Sequence, residues 1–214
     1  MVKENTLSHV GKMKIMGMRI MRGKIGLLLV WALFFAANAG FCAEKVIFGF
    51  EENVPNWEIP DWCFEKDDHV GESIAISAKF AKEGKSSLEL MADFPGGKWT
   101  GAYVEIQQFF DWTLYKTILA DIFLPKNAPF GLQGKIILTV GEDWVWTEMA
   151  RSVKLVPGEW TAISASIIPG STDWRRTEVS DAFRSDVRKL GIRIESNMRP
   201  AYAGPIYIDN IRLE

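Results

Sequence analysis

Gly204-Pro205-Ile206-Tyr207-Ile208-Asp209-Asn210-Ile211-Arg212-Leu213-Glu214 is the stretch whose reading decides the fold. Ile206 and Ile208 recur at every second position, the side-chain period of a half-buried strand. Gly204-Pro205 supplies the turn into this strand, and Asp209-Asn210 bends it before Ile211 extends the apolar set.

Working outward, short runs of the same kind recur with turns between them. Residues 46–50, 72–80, 86–92, 99–110, 119–124, 135–140, 144–149, 152–156 and 160–167 read as strands. Residues 81–85, Pro95-Gly96-Gly97, Pro125, Gly141-Glu142-Asp143 and Pro157-Gly158 punctuate them. Residues 51–57 and 61–71 read as loops, the second holding Cys63 and His69. One segment departs from the pattern: Val179, Phe183, Val187 and Leu190 fall at helical spacing behind Ser180, a candidate N-cap. That spacing predicts one short helix at a sandwich edge, after which 190–197 returns to strand. Serial short strands, with no repeat, low-complexity tract or linker, predict an all-β sandwich of two antiparallel sheets.

Three pieces of this sequence also carry a resemblance. The closing Gly204-Pro205-Ile206-Tyr207-Ile208-Asp209-Asn210-Ile211-Arg212-Leu213, the opening Phe48-Gly49-Phe50-Glu51 and the inner Glu83-Gly84-Lys85-Ser86-Ser87-Leu88-Glu89-Leu90 are similar to those of galactose-binding-like jelly rolls. That superfamily includes many carbohydrate-binding modules. The resemblance covers residues 46–214 and implies jelly-roll topology and a polysaccharide or oligosaccharide partner. It also implies a structural Ca2+ held by Glu51, Asp209 and a backbone carbonyl around Lys85, oxygen ligands of the kind a hard cation takes. On the residues alone, Asp209 serves equally well as the cap of the Asp209-Asn210 turn.

The first residues belong to a different argument. Lys3, Lys12, Lys14, Arg19, Arg22 and Lys24 precede an apolar run, 25–37, that is short for a membrane span. Ala37-Asn38-Ala39 then offers a cleavage site, so residues 1–39 read as a secretory signal peptide. Cleavage after Ala43, a later start at Met13, Met16, Met18 or Met21, and an uncleaved anchor are the alternatives. Residues 40–214 form one domain by length, enough to enclose a core. The expected location is secreted, periplasmic or in the cell envelope, with no membrane contact after cleavage.

Of the 25 basic and 27 acidic residues, six and one fall within 1–39, leaving 19 and 26. An excess of seven acids argues against nucleic acid, which needs a basic face. Cys42 and Cys63 are the two cysteines, so there is no disulfide framework, and a single bridge between them is optional in a domain of this size. His69 is the one histidine outside the leader, which removes a Ser-His-Asp triad and a multi-histidine zinc site. Gly96-Gly97 and Gly131-Leu132-Gln133-Gly134 lack the Lys-Ser/Thr and helix of a phosphate loop.

The strand phases collect candidate ligand residues on one face. With Ala102, Val104 and Ile106 inward, Tyr103, Glu105 and Gln107 point away from the core. Leu190, Ile192 and Ile194 inward leave Arg193, Glu195 and Asn197 on the same side, and Trp144, Trp146 and Glu148 follow the same alternation. Indoles stack on the apolar C–H face of a sugar while Arg, Gln, Glu and Asn bond its hydroxyls. The competing reading is core or rim packing for the Trp residues and an ordinary ion-pair ladder for Arg193 and Glu195. Eight of the nine Trp lie outside the leader, and Trp57, Trp62, Trp99, Trp112 and Trp174 sit in or beside expected loops, where they would extend a site at the sandwich end. Glu105, Glu148 and Glu195 raise glycoside hydrolysis, which needs two carboxyls about 5–10 Å apart, but no catalytic strand pattern accompanies them. The expectation is therefore a non-catalytic sugar-binding domain, acting alone or beside a co-secreted glycosidase. A cell-envelope structural domain without sugar specificity is the alternative.

Overall fold

The computed structural model describes residues 44–52, 56–198 and 200–214. The leader, its alternative cleavage point and Cys42 lie outside these residues. Among the described residues no helix is long and apolar enough to cross a membrane.

The closing stretch forms β12 (Ala201–Leu213). It lies between β4 (Ser87–Pro95) and β6 (Thr117–Phe123), with Ile208 opposite both Leu88 and Ile122. β3 (Gly71–Ser77) and β10 (Trp160–Ser166) extend this sheet, and β1 (Lys45–Phe48) pairs with the end of β12. The second sheet runs β2 (Trp57–Glu58), β5 (Gly101–Phe110), β11 (Val187–Glu195), β7 (Gln133–Val140) and β8 (Val145–Glu148). A short β9 (Val153–Lys154) also pairs with β7. All of these strand pairs are antiparallel, giving the two-sheet jelly-roll sandwich the sequence predicts.

Alternation builds the core. Leu88, Leu90, Ile206 and Ile208 of the first sheet and Val104, Ile106, Ile136, Leu138, Leu190, Ile192 and Ile194 of the second are almost completely buried in one cluster. Each such side chain contributes about 1.5–3 kcal/mol by leaving water, an upper estimate because the unfolded chain is itself partly collapsed. Gly134 marks how closely the layers approach, since an added Cβ would lie 2.8 Å from Ile122 Cδ1.

Two segments differ from expectation. The helix expected over 179–190 is only α2 (Asp181–Ser185), although Ser180 does cap it by accepting from the Phe183 amide at 3.2 Å. β11 begins at Val187, and against β7 a bulge between Val187 and Lys189 inserts one residue into it. That insertion lets Val187 and Leu190, three apart, both face inward, which in sequence imitates a helical period. The second difference is α1 (Asp61–Phe64), a single helical turn where a loop was expected. Pro60, with φ −65°, and Asp61 in the first turn are helix-start residues, so among the described residues there are two short helices where one was predicted.

Ile192→Ala, at the centre of β11, is expected to cost about 2–5 kcal/mol in urea unfolding. A loss below about 1 kcal/mol would mean that the two layers close over the gap.

Candidate functional site

On the outer face of the second sheet the register brings three ladders side by side. Tyr103 lies opposite Arg193, which lies opposite Lys135; Glu105 is followed by Gly191 and Ile137; Gln107 is followed by Lys189 and Thr139. β8 adds Glu148 beside Ile137 and Trp146 beside Thr139. Alternation from the buried core thus puts the charged and aromatic candidates on one surface, as the strand phases predict.

The centre of that surface is roofed. α1 carries Trp62 over Tyr103 and Trp146, with ring centres 5.5 and 5.8 Å away, and buries Cys63 against Tyr103 and Ile137. Tyr103 is only 3% exposed, so it supports the floor and cannot stack on a sugar, a correction to the sequence reading. Its hydroxyl donates to Glu105 at 2.8 Å, and burial followed by the Glu105 charge pushes its ionisation well above the usual tyrosine value. Burial, then Glu105, likewise pushes the Cys63 thiol up to about 12, so this free cysteine stays protonated near neutral pH. A side chain at Gly191 would run into Tyr103, which explains the glycine in mid-strand.

The carboxylates are held by cations. Glu105 accepts from Lys189 Nζ at 2.6 Å. Glu148 accepts from Arg193 at 2.7 Å and from Lys135 and Arg175 at 3.3 Å each. Arg193 Nη2 also donates to Glu195 at 3.1 Å, and Ser152 donates to the other Glu195 oxygen. Burial alone would raise the Glu148 carboxyl, but Arg193 and Lys135 overcome it and hold the group below its usual 4.5. Glu148, Arg193 and Glu195 therefore form a braced floor. Asn197 departs from the expected strand: it sits exposed in the turn after β11 with φ 22°. Gln107 is exposed on β5.

What stays open is a groove of about 500 Å3 walled by Trp62, Trp144 and Trp146, with Lys66, Lys189, Glu105 and Thr139 between them. Trp144 is 42% exposed and lies in the turn before β8 rather than in the strand. Lys66 Nζ stands 4.7 Å from the centre of Trp62. A recess of about 100 Å3 shares Trp62, Lys66 and Trp146 and continues toward His69, Trp99 and Arg193. Arg193 lies over the Trp99 ring at 5.5 Å. Sequence reasoning placed Trp62 and Trp99 at the sandwich end and passed over Lys66, Thr139 and Lys189. The helix-start pair Pro60-Asp61 is the signal that would have put Trp62 on a fixed element.

The residues proposed for a cation also meet. Glu51 accepts from the Lys85 amide at 3.0 and 3.2 Å, and Asp209 accepts from the Lys82 and Glu83 amides at 2.7 and 3.2 Å. The segment after β1 and the strand β12 thus both reach the 82–85 turn, where a side chain at Gly84 would strike the Glu51 carboxylate. Burial, opposed by the amide bonds and aided by the Glu51 charge, leaves the Asp209 carboxyl above its usual value. No described Lys or Arg forms an ion pair with either acid, and buried Asn210 Oδ1 has no hydrogen-bond partner among the described residues. An anionic, all-oxygen set of this kind fits a hard cation. Among the described residues no group of three His, Cys, Asp or Glu converges, so carbonyl oxygens or water would complete the shell.

No protein-family model matches the chain, and no curated protein matches it in sequence. Solved structures do. The CBM27-1 module of Caldicellulosiruptor saccharolyticus, in complex with mannohexaose, is 22% identical with a TM-score of 0.56, over 80% of this chain and 97% of that one. A CBM28 module specific for non-crystalline cellulose is 13% identical with a TM-score of 0.56, over 78% and 92%. An exo-β-agarase matches at 16% identity and a TM-score of 0.55, over 79% of this chain but 24% of its own. The chain has the jelly-roll fold of carbohydrate-binding modules.

Glu148→Gln tests the braced floor. A carboxyl with a lowered folded value stabilises fully above its unfolded value, near 4.5, and loses that stability as pH falls through the folded value. The variant is expected to lose about 1–3 kcal/mol at pH 7 and to show a shallower fall in stability below pH 4.5, measured by urea unfolding across pH. An unchanged acid limb would show that the network contributes nothing there.

Proposed function

We propose that this chain is a secreted, non-catalytic carbohydrate-binding module that holds a polysaccharide or oligosaccharide in the groove over the second sheet. The observation that carries the reading is the groove itself, with three indoles around a few hydrogen-bonding groups. Such a surface suits a pyranose, whose apolar face stacks on an aromatic ring while its rim exchanges hydrogen bonds. Trp62, Trp146 and Trp144 supply the stacking, and Lys66 and Lys189 the polar contacts, with Gln107 at the rim, while Glu105, 1% exposed, holds Lys189 from beneath. The similarity in fold to a module solved with mannohexaose makes mannan the first polymer to try.

The acids argue for binding without bond cleavage. Glu148 and Glu195 are both bonded to the same Arg193 Nη2, and neither lines the groove. Glu148, held ionised, is no proton donor near neutral pH. Secretion rests on the leader pattern in residues 1–39, and a separate glycosidase acting on the same polymer is the natural companion. Calcium at Glu51 and Asp209 would tie the two ends of the domain to the 82–85 turn.

Intrinsic Trp fluorescence, titrated with soluble mannans, β-glucans, xylans and galactans, tests the sugar reading. A saturable shift with one polymer class is expected, weakened at least about tenfold in Trp62→Ala and Trp146→Ala while both variants remain folded. Flat titrations from the folded wild type would favour an envelope domain without sugar specificity.

Thermal unfolding with calcium and with a chelator tests the metal. Calcium is expected to raise Tm by about 2–5 °C, and Glu51→Gln combined with Asp209→Asn is expected to abolish the rise. Equal Tm values for the wild type in both buffers would leave Asp209 as a turn cap alone.

A further inference from the structure

The groove does not stop at Trp144. Phe109, near the end of β5, is 66% exposed. Between Trp144 and Phe109 stands Arg188, its guanidinium carbon 5.2 Å from the Trp144 ring centre and 5.3 Å from that of Phe109. Asp186 grips the guanidinium through Nε and Nη2, both at 2.9 Å. A planar cation clamped in this fork does not swing like an isolated surface arginine, so it fixes both rings. The turn below contributes too: Trp144 donates its amide to the Gly141 carbonyl at 3.0 Å and takes a left-handed backbone, φ 52°, that is rare for a bulky residue. That conformation presents the indole to solvent at the mouth of the groove.

We propose that Phe109, Arg188 and Trp144 form a second stacking subsite, a ledge that receives a further sugar ring of the chain whose first part lies in the groove. The proposal rests on the sugar reading above. Continuity argues for that occupant, because Trp144 walls the groove and belongs to the ledge, so a polymer leaving the groove passes over it. Chemistry agrees: the ledge offers flat aromatic surface for C–H stacking and guanidinium N–H donors for hydroxyls. The exposed acids Glu142 and Asp143, close enough for their charges to act on Arg188, add acceptors at the rim. Isolated exposed aromatics need no explanation, but two rings sharing one clamped guanidinium beside a groove form an organised surface.

The ledge predicts dependence on oligosaccharide length. Isothermal titration of the intact protein would use manno-, cello- and xylo-oligosaccharides of two, four and six sugars. For the series that binds, affinity is expected to rise roughly three- to tenfold between the short and the long members. Phe109→Ala should lose that rise while keeping wild-type affinity for the shortest member that binds, and Arg188→Ala, which frees both rings, should lose the rise as well. Arg188→Lys, which keeps the charge but not the planar fork, should lose most of it. A rise unchanged in all three variants, or no rise in the wild type, overturns the ledge and leaves the groove standing. Failure of the wild type to bind any member of any series overturns the sugar reading and the ledge together.

Discussion

The period-two alternation of β11, locked between β5 and β7, is the constraint on which the rest of the structure depends. Leu190, Ile192 and Ile194 must face the first sheet to close the core, so Lys189, Gly191, Arg193 and Glu195 have no choice but the outer face. The same step repeats in β5 and β7, and charged residues accumulate where a roof then partly covers them. Burial makes each unpaired charge costly, which is why Arg193, Glu148, Glu195, Lys135, Glu105 and Lys189 are joined in ion pairs. Residues that look like ligand readers in a list of strand positions thereby become the rigid bed of the site.

The roof decides what kind of site this is. A bare sheet face would be shallow and open along its length. One helical turn carrying Trp62, set on Tyr103 and Trp146, raises a wall across it and leaves a groove on one side and a small recess on the other. Gly191 makes this possible, because the absence of a Cβ lets the Tyr103 ring lie flat beneath the wall. Aromatic surface is thus placed by a loop element, while the sheet supplies the stiffness that keeps it in place.

The first sheet solves a separate problem. β1 and β12, the first and last described strands, are paired, and the acids Glu51 and Asp209 that follow or end their pairing both bind amides of the 82–85 turn. A loop that would otherwise hang from β3 and β4 is fastened to the segment after β1 and to β12, which ties down the β3 edge of the first sheet.

Much of the fold was legible because its signals are local. Ile206 and Ile208, Ala102 to Ile106, and Leu190 to Ile194 alternate in the sequence itself, and Ser180 marks its helix start without help from the rest of the chain. Strand phase likewise set Glu105, Gln107, Trp146, Glu148, Arg193 and Glu195 on one face before any contact was known. The bulge at Val187–Lys189 was not legible, because one residue inserted against β7 gives a strand the spacing of a helix. Nor was the burial of Tyr103, since exposure depends on what a distant segment lays over a face, and Trp62 lies far from it along the chain. The sequence by itself determined the sandwich and the face that carries its polar and aromatic residues, because alternation is a property of neighbouring positions. Only the tertiary structure decided which of those residues remain open to a ligand, because covering and ion pairing depend on contacts between segments remote in sequence.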